Sequence, residues 1–266
     1  MTFESMHAAL ASAEEATLAI AGARPAALRM YPRETPEDEW GISMYYAPFD
    51  FVNRNAELVL IGITPGESQM RRAWSAALLA MKRNSNMAAA VSEIKRLSAF
   101  NDKKGQMRPN LYAQLEHWGV HRWLGVSSGA SLFADGWPRI HTTSLLKFPT
   151  FLRGKNYEGK SPAMLKHEFL RSVVFERLVP ELRSIPNALL LPLGATVEAV
   201  VRAVITAGDI SNRCAYGMLH PSGNNTYRLK YLCGNRSGPL PHATSVGAYD
   251  VGRRAFQSMY LQSSAR

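Results

Sequence analysis

Apolar residues follow two different spacings along this chain. Short continuous apolar runs, typical of buried β-strands, occur at Leu58–Gly62, Ile140–Leu146, Ala188–Leu193 and Ala215–Leu219. Apolar residues spaced three and four apart predict helices at Phe3–Ala21, Arg71–Lys82, Ala88–Leu97, Leu111–Trp118, Ala163–Arg183, Thr196–Ala207 and Val246–Leu261. Because the strands alternate with long helices, the pattern predicts an α/β fold with a parallel sheet flanked by helices on both faces.

Polar residues and tight turns follow the predicted strands. In parallel sheets, ligands bind beyond the carboxyl ends of the strands, which is where we expect Thr64, Ser144, Gly194 and His220. The turn after the first strand leaves main-chain N–H groups free to face a ligand. His220 precedes a proline, which favours an extended backbone and a ring that projects from the strand tip. We therefore expect one shared site at this edge of the sheet.

Two of these segments resemble the active-site motifs of the uracil-DNA glycosylase superfamily. Gly62-Ile63-Thr64-Pro65-Gly66 is similar to the first motif, and His220-Pro221-Ser222-Gly223-Asn224 is similar to the second. Between them, in the order found in the family, His141–Lys147 resembles the strand that carries a base-reading residue. Leu191–Thr196 looks like a strand-to-helix turn of the iron-sulfur branch. The resemblance extends over most of the chain between Glu57 and Arg228.

The resemblance implies a fold and a site. The family fold is a three-layer α/β/α sandwich with a central, mostly parallel four-stranded sheet. We expect this domain in residues 46–266, preceded by an N-terminal helical extension in residues 1–45, with the whole chain forming one compact unit. The turn that carries Thr64 and the loop that carries His220 are then expected to enclose one flipped-out nucleotide.

Charge and composition are compatible with a soluble DNA-binding protein. The 266 residues are 46% hydrophobic, which suffices for a sizeable core. The formal net charge of +10 would attract a phosphate backbone and make any such binding salt-dependent. We expect a monomer whose partner, as the resemblance implies, is DNA containing uracil.

Other features bear on location and cofactors. No apolar run is long enough to cross a bilayer, so we expect no membrane partner. The first residues include Glu4 and no early Lys or Arg, unlike a secretory signal, which favours a cytoplasmic protein. Two cysteines, Cys214 and Cys233, suggest neither a disulfide scaffold nor a zinc site. They also cannot ligate the four-cysteine iron–sulfur cluster of several family branches, and we expect no metal or cofactor.

The resemblance assigns catalytic roles to two residues. His220 matches the family residue that donates a hydrogen bond to O2 of the departing uracil. Thr64 stands where the most active branch has an aspartate that positions and polarises the attacking water. A hydroxyl has no useful basicity near neutral pH, so we expect slower hydrolysis by a dissociative path. Glu67 either replaces the missing carboxylate or complements the positive end of a helix dipole.

Residues around the first motif are expected to bind the base. Gly62, Pro65 and the main chain of Ile63 would line the pocket. Gly66 replaces the tyrosine that blocks thymine in the strictest family members, so either another side chain fills the space or larger bases enter. Two further positions are open between binding and structure: Trp74 either stacks on the base or packs in the core, and Ser144 either reads the base edge or is a plain strand residue.

The second motif is expected to contact the DNA backbone. Ser222 and the N–H groups around Gly223 are similar to the family's phosphate-binding elements. Asn224 replaces the apolar wedge that fills the vacated base stack, and Asn225 and Arg228, with Tyr227, would compensate. The alternative is that this sequence simply forms a turn.

The function expected from the resemblance is base excision repair. The leading interpretation is a monofunctional DNA glycosylase that flips uracil out of DNA and hydrolyses its N-glycosidic bond. The alternative is a catalytically weak protein of the same fold that binds uracil-containing or damaged DNA. An unrelated α/β hydrolase lacks support: the sequence contains no G-x-G-x-x-G fingerprint, and its G-x-S-x-G match at Gly125–Gly129 does not follow a predicted strand, as a nucleophile elbow must.

Overall fold

The computed structural model describes residues 3–12, 20, 22–35, 37–83, 86–234 and 246–261. The chain divides into two compact units, each assembled from three stretches of sequence. The first unit contains Met1–Val52, Ile63–Asn101 and Ser144–Leu178, and the second contains Asn53–Gly62, Asp102–Thr143 and Val179–Arg266. Residues 1–45, expected as a helical extension, lie within the first unit and include β-strands as well as helix.

The first unit combines helices with an antiparallel sheet. Its helices are α1 (Phe3–Ser12), α2 (Glu67–Lys82), α3 (Met87–Ser98) and α6 (Glu168–Val173), the last continuing as a π-helical stretch over Val174–Leu178. Its four-stranded sheet has the order β1-β2-β5-β6, formed by Arg29–Tyr31, Ile42–Tyr45, Thr150–Leu152 and Lys155–Asn156. The described core of this unit includes Trp74, Phe148 and Phe151, each at most 2% exposed.

The second unit is built on a parallel sheet with the order β4-β3-β7, formed by Ile140–Ser144, Leu58–Gly62 and Leu189–Pro192. Ser144, the last residue of β4, belongs to the first unit. The register runs from Leu58 opposite Leu189 to Ile61 opposite Pro192, and every residue of β3 and β7 is buried. The helices are α4 (Met107–Trp118), α5 (Val120–Trp123), α7 (Val179–Arg183), α8 (Ala195–Thr206), α9 (Thr226–Cys233) and α10 (Val246–Tyr260).

The prediction of a mostly parallel four-stranded sheet is wrong in its strand count. The segment 213–219 runs beside β7, with hydrogen bonds from Leu190 N to Arg213 O and from Ala215 N to Leu190 O, both 2.9 Å long. It forms only an isolated parallel bridge, because Gly217 adopts a φ of +109° that breaks the extended backbone. The four-stranded sheet of this protein is instead the antiparallel one, which the sequence pattern did not predict because its strands are two to four residues long.

The predicted helices are present with shifted ends. Helix α2 begins at Glu67 rather than Arg71, and the stretch predicted as one helix over Ala163–Arg183 begins at Glu168 and is interrupted by the π-helical segment. The predicted N-terminal helix is observed up to Ser12, and its part at 13–19 and 21 lies outside the described residues. None of the helices within the described ranges has both the length and the apolar character needed to span a bilayer.

Candidate functional site

The loop that carries His220 is held by two buried amides of α4 in the second unit. Gln114 is fully buried, and its side chain donates to Leu219 O (3.1 Å) and accepts from Leu219 N (2.9 Å). Asn110, one helical turn earlier, donates to Pro221 O at 3.0 Å and to the Thr226 hydroxyl at 2.9 Å. These bonds hold the main chain on both sides of His220 in place, and thereby the Cα atom that carries the ring.

The His220 ring is an uncharged hydrogen-bond donor. The Ser222 N–H donates to its Nδ1 at 3.3 Å, so we assign the ring proton of the neutral tautomer to Nε2. Desolvation by burial lowers the pKa of His220 to about 4, which keeps the imidazole neutral near pH 7. The residue as a whole is nevertheless partly exposed to solvent.

Gly194 fits tightly against His220. It precedes α8, with φ +98° and ψ 156°, a conformation that essentially only glycine adopts, and its N–H donates to Met218 O at 3.0 Å. A Cβ atom at residue 194 would lie 2.9 Å from the His220 Cβ. The predicted strand-to-helix turn is therefore in close contact with His220.

The rest of the second motif forms a tight turn into α9. Residues Gly223–Asn225 form a 3-10 turn, with Gly223 and Asn224 exposed and Ser222 partly exposed. The Asn225 amide donates to His220 O at 2.8 Å, and the Arg228 guanidinium donates to Asn225 Oδ1 at 3.3 Å. Asn225 and Arg228, expected to contact DNA, are therefore engaged in holding the His220 loop.

The Thr64 hydroxyl, in the first unit, is occupied by main-chain groups. It donates to Phe148 O at 2.9 Å and accepts from Thr150 N at 3.1 Å. The single proton of the hydroxyl is thus used, and one of its two acceptor positions is filled. These bonds tie the first motif to the start of β5, and they favour a structural role for Thr64 over the catalytic one expected from its position.

Asn156 fills the space beside Gly66. A Cβ atom at residue 66 would lie 3.1 Å from Asn156 Nδ2, and Asn156 Oδ1 accepts from Glu67 N at 3.0 Å. Of the two expectations for Gly66, the geometry supports the one in which another side chain occupies the space. The Glu67 carboxylate accepts from Gly22 N at 2.6 Å and lies 3.5 Å from the Arg24 guanidinium, contacts that favour a structural role over replacement of the missing catalytic carboxylate.

The remaining first-motif residues differ in their accessibility. Gly62 and Pro65 are buried, whereas Ile63 and Ser144 are partly exposed. The Ile63 carbonyl accepts from Leu146 N at 2.9 Å, so this main-chain acceptor is already paired.

Trp74 is fully buried, and its indole N–H donates to Tyr46 O at 2.8 Å. Of the two interpretations of Trp74, the structure therefore supports packing in the core rather than stacking on a base.

The structure thus groups the expected residues in two sets. His220, Gly194 and the second-motif residues lie together in the second unit, and the first-motif turn lies with Ser144 in the first unit, apart from Gly62, which ends β3 in the second. Enclosure of one nucleotide by both sets stays a prediction.

The sequence analysis did not predict roles for Gln114 and Asn156. A glutamine beside Leu111 and Leu115 on an apolar helix face is nevertheless a signal for a buried polar contact. The described part of the chain contains no group of three or more His, Cys, Asp or Glu side chains that could hold a metal ion.

Comparison with known proteins identifies a relative. No protein-family model matches the chain, and no solved structure matches it. The chain is similar to the uncharacterized protein YoxB of Bacillus subtilis (strain 168), with 37% identity over 203 residues. The alignment covers 75% of this chain and 77% of the relative.

Proposed function

We propose that this chain, which belongs to the family of Bacillus subtilis YoxB, is a monofunctional uracil-DNA glycosylase. The substrate is uracil in DNA, and the products are free uracil and an abasic site. We further propose that the protein is a monomer with the three-layer arrangement of uracil-DNA glycosylases. Two features support this arrangement: the buried parallel strands β3 and β7, and the turn into α8.

The state of His220 carries the proposal. Cleaving an N-glycosidic bond leaves negative charge on the departing base, and a neutral imidazole with its proton on Nε2 can donate to uracil O2 as that charge develops. A preorganised donor of this kind is worth about 3 to 4 kcal/mol in a site that excludes water. Gln114, Asn110 and Gly194 supply the preorganisation, since they hold the backbone on both sides of the ring.

The first motif accounts for the expected slow turnover. With the Thr64 hydroxyl bonded to Phe148 and Thr150, and Glu67 paired with Arg24, this motif offers no free carboxylate to activate water. Hydrolysis then depends on stabilising the charge of the leaving base, while the DNA phosphates favour the cationic sugar. The attacking water needs little basic assistance along such a dissociative path.

The excess positive charge supports a DNA partner. The chain carries 31 Lys and Arg residues against 21 Asp and Glu, and Ser222 and Gly223 lie accessible beside His220. Binding of a fluorescent oligonucleotide should weaken steeply as salt rises, by roughly 0.9 log units of affinity per log unit of salt for each phosphate contacted. Affinity that does not change with salt would count against a DNA partner.

The test is excision from defined oligonucleotides. Labelled single- and double-stranded DNA with one uracil is incubated with the protein, and abasic sites are detected by alkaline strand cleavage. The wild-type protein is expected to give product, and His220→Gln is expected to lower the single-turnover rate roughly 100- to 1,000-fold. His121→Gln is the matched control, because His121 also lies in the second unit but outside the loop.

A second candidate function is favoured by the occupied first motif. Because Thr64 and Glu67 are engaged elsewhere, the protein could bind uracil-containing or damaged DNA with little turnover. Tight retention of the uracil oligonucleotide without any abasic product, measured in the same incubation, would select this function. Product that disappears in His220→Gln selects the enzyme.

A further inference from the structure

The second unit contains an open-mouthed cavity that the proposed function does not use. It has a volume of about 550 Å³, within the range of small-molecule sites, and its lining is mainly apolar. The lining includes the α10 face that carries Ala248, Gly252 and Ala255 and the segment around Tyr216. His220 is not part of the lining.

The backbone on both sides of the cavity is closely fitted. A Cβ atom at Gly252 would lie 1.9 Å from Tyr216 O, and one at Gly217 would lie 2.5 Å from Ala248 O. Helix α10 therefore contacts the 216–217 main chain directly. The lining residues Val251 and Met259 are 60% and 58% exposed, so this part of the cavity is open to solvent.

Most of the charged residues that line the cavity already have partners. Glu198 accepts from Arg202 at 2.9 Å and from Gly217 N at 3.1 Å, so its carboxylate is neutralised and bonded. Arg202 is further committed to the face of Tyr216, with its guanidinium carbon 3.4 Å from the ring centroid. Burial raises the pKa of the Cys214 thiol to about 12, so this residue adds no charge.

Arg213 is the remaining cation. Its guanidinium lies 5.4 Å from the ring centroid of Tyr260, another lining residue, and it pairs with no carboxylate of the described residues. An apolar cavity of this size, with one arginine at its edge that pairs with no described carboxylate, matches a molecule with an apolar body and a single anionic group.

We propose that this cavity binds a small amphipathic acid, with an aromatic or alkyl body against the lining residues Val251, Ala255 and Met259 of α10 and a carboxylate or comparable anion paired with Arg213. The site is independent of the proposed glycosylase activity, because it shares no residue with the His220 loop. Failure of either proposal leaves the other unaffected.

A matched pair of fluorescent probes tests the proposal. 8-Anilinonaphthalene-1-sulfonate carries an anionic group on an apolar body, and N-phenyl-1-naphthylamine has the same body without the charge. The folded protein should bind one molecule of the anionic probe per chain, about tenfold more tightly than the neutral probe. Decanoate should displace the bound probe, whereas decanol at the same concentration should displace it far less.

Three variants separate the site from non-specific binding. Arg213→Gln should weaken the anionic probe about tenfold and leave the neutral probe unchanged, while Arg254→Gln, which removes a charge from α10 outside the cavity, should change neither. Ala255→Trp places a large ring at an exposed lining position, so the fold should persist, as checked by circular dichroism, while both probes lose affinity.

Two results would overturn the proposal. One is probe affinity that is the same in Arg213→Gln, Ala255→Trp and the wild type. The other is a dimer in size-exclusion chromatography that excludes the probe and dissociates in Ala255→Trp, since the occupant would then be a second copy of the chain.

Discussion

Replacing Gln114 by leucine should destabilise the protein by about 2 to 4 kcal/mol. The substitution keeps the side-chain volume but removes both hydrogen bonds to Leu219, each worth about 0.5 to 1 kcal/mol. It also leaves the main-chain N–H and C=O of Leu219 without these partners. Because Leu219 is only partly exposed, that desolvation adds about 1 to 2 kcal/mol. Urea unfolding followed by tryptophan fluorescence measures the loss as a lower midpoint at unchanged slope.

The control lies at the start of the same helix. Gln106 is exposed and its amide makes one long hydrogen bond, 3.5 Å to Lys104 O, so Gln106→Leu should change stability by less than about 0.5 kcal/mol. Gln114→Leu should also slow uracil release, since the backbone beside His220 loses its anchor. A loss of stability in Gln114→Leu no larger than that in Gln106→Leu would contradict the anchoring of Leu219 by Gln114.

Three further predictions follow from single contacts. Folding lowers the pKa of His220 from 6.5 to about 4, so the unfolded chain binds more protons than the folded chain between these pH values. The free energy of unfolding should therefore fall by up to about 3 kcal/mol as the pH drops from above 6.5 towards 4. His220→Gln should remove that part of the pH dependence, as measured by urea unfolding. Gly194→Ala should cost about 2 to 4 kcal/mol, through a strained backbone and the 2.9 Å approach to His220, whereas Gly208→Ala, at φ +78° in open space, should cost about 1 kcal/mol by thermal unfolding. Thr64→Val removes two main-chain hydrogen bonds and should cost about 1 to 3 kcal/mol while changing the single-turnover rate less than about threefold; a larger rate loss without a stability loss would restore a catalytic role to Thr64.

Elements with a long regular pattern could be predicted from the sequence. β3, β7 and the helix over Ala195–Thr206 have continuous apolar character or clear helical spacing, and their positions agree with the structure within a few residues. The antiparallel sheet was missed because strands of two to four residues carry too little pattern. The segment ending at Leu219 has a strand-like composition, but Gly217 at φ +109° interrupts its pairing, and a glycine in a sequence does not reveal which conformation it adopts.

The site was predictable only in part, for a related reason. His220 could be placed from its local context, since the following proline restricts its backbone. The partners of Thr64 and Gln114 lie 84 to 105 positions away in the sequence, so no local pattern could show that the hydroxyl is occupied or that a helix amide holds the loop. Trp74 illustrates the same limit, because its burial depends on a main-chain acceptor at Tyr46.

The most direct measurement of the central claim is the single-turnover release of free uracil from DNA by the wild-type protein and by His220→Gln, quantified by mass spectrometry. We expect uracil release by the wild type and a rate lower by roughly two orders of magnitude in the variant, with both proteins folded. Equal rates in the two proteins would contradict it, because the neutral imidazole would then have no part in stabilising the departing base.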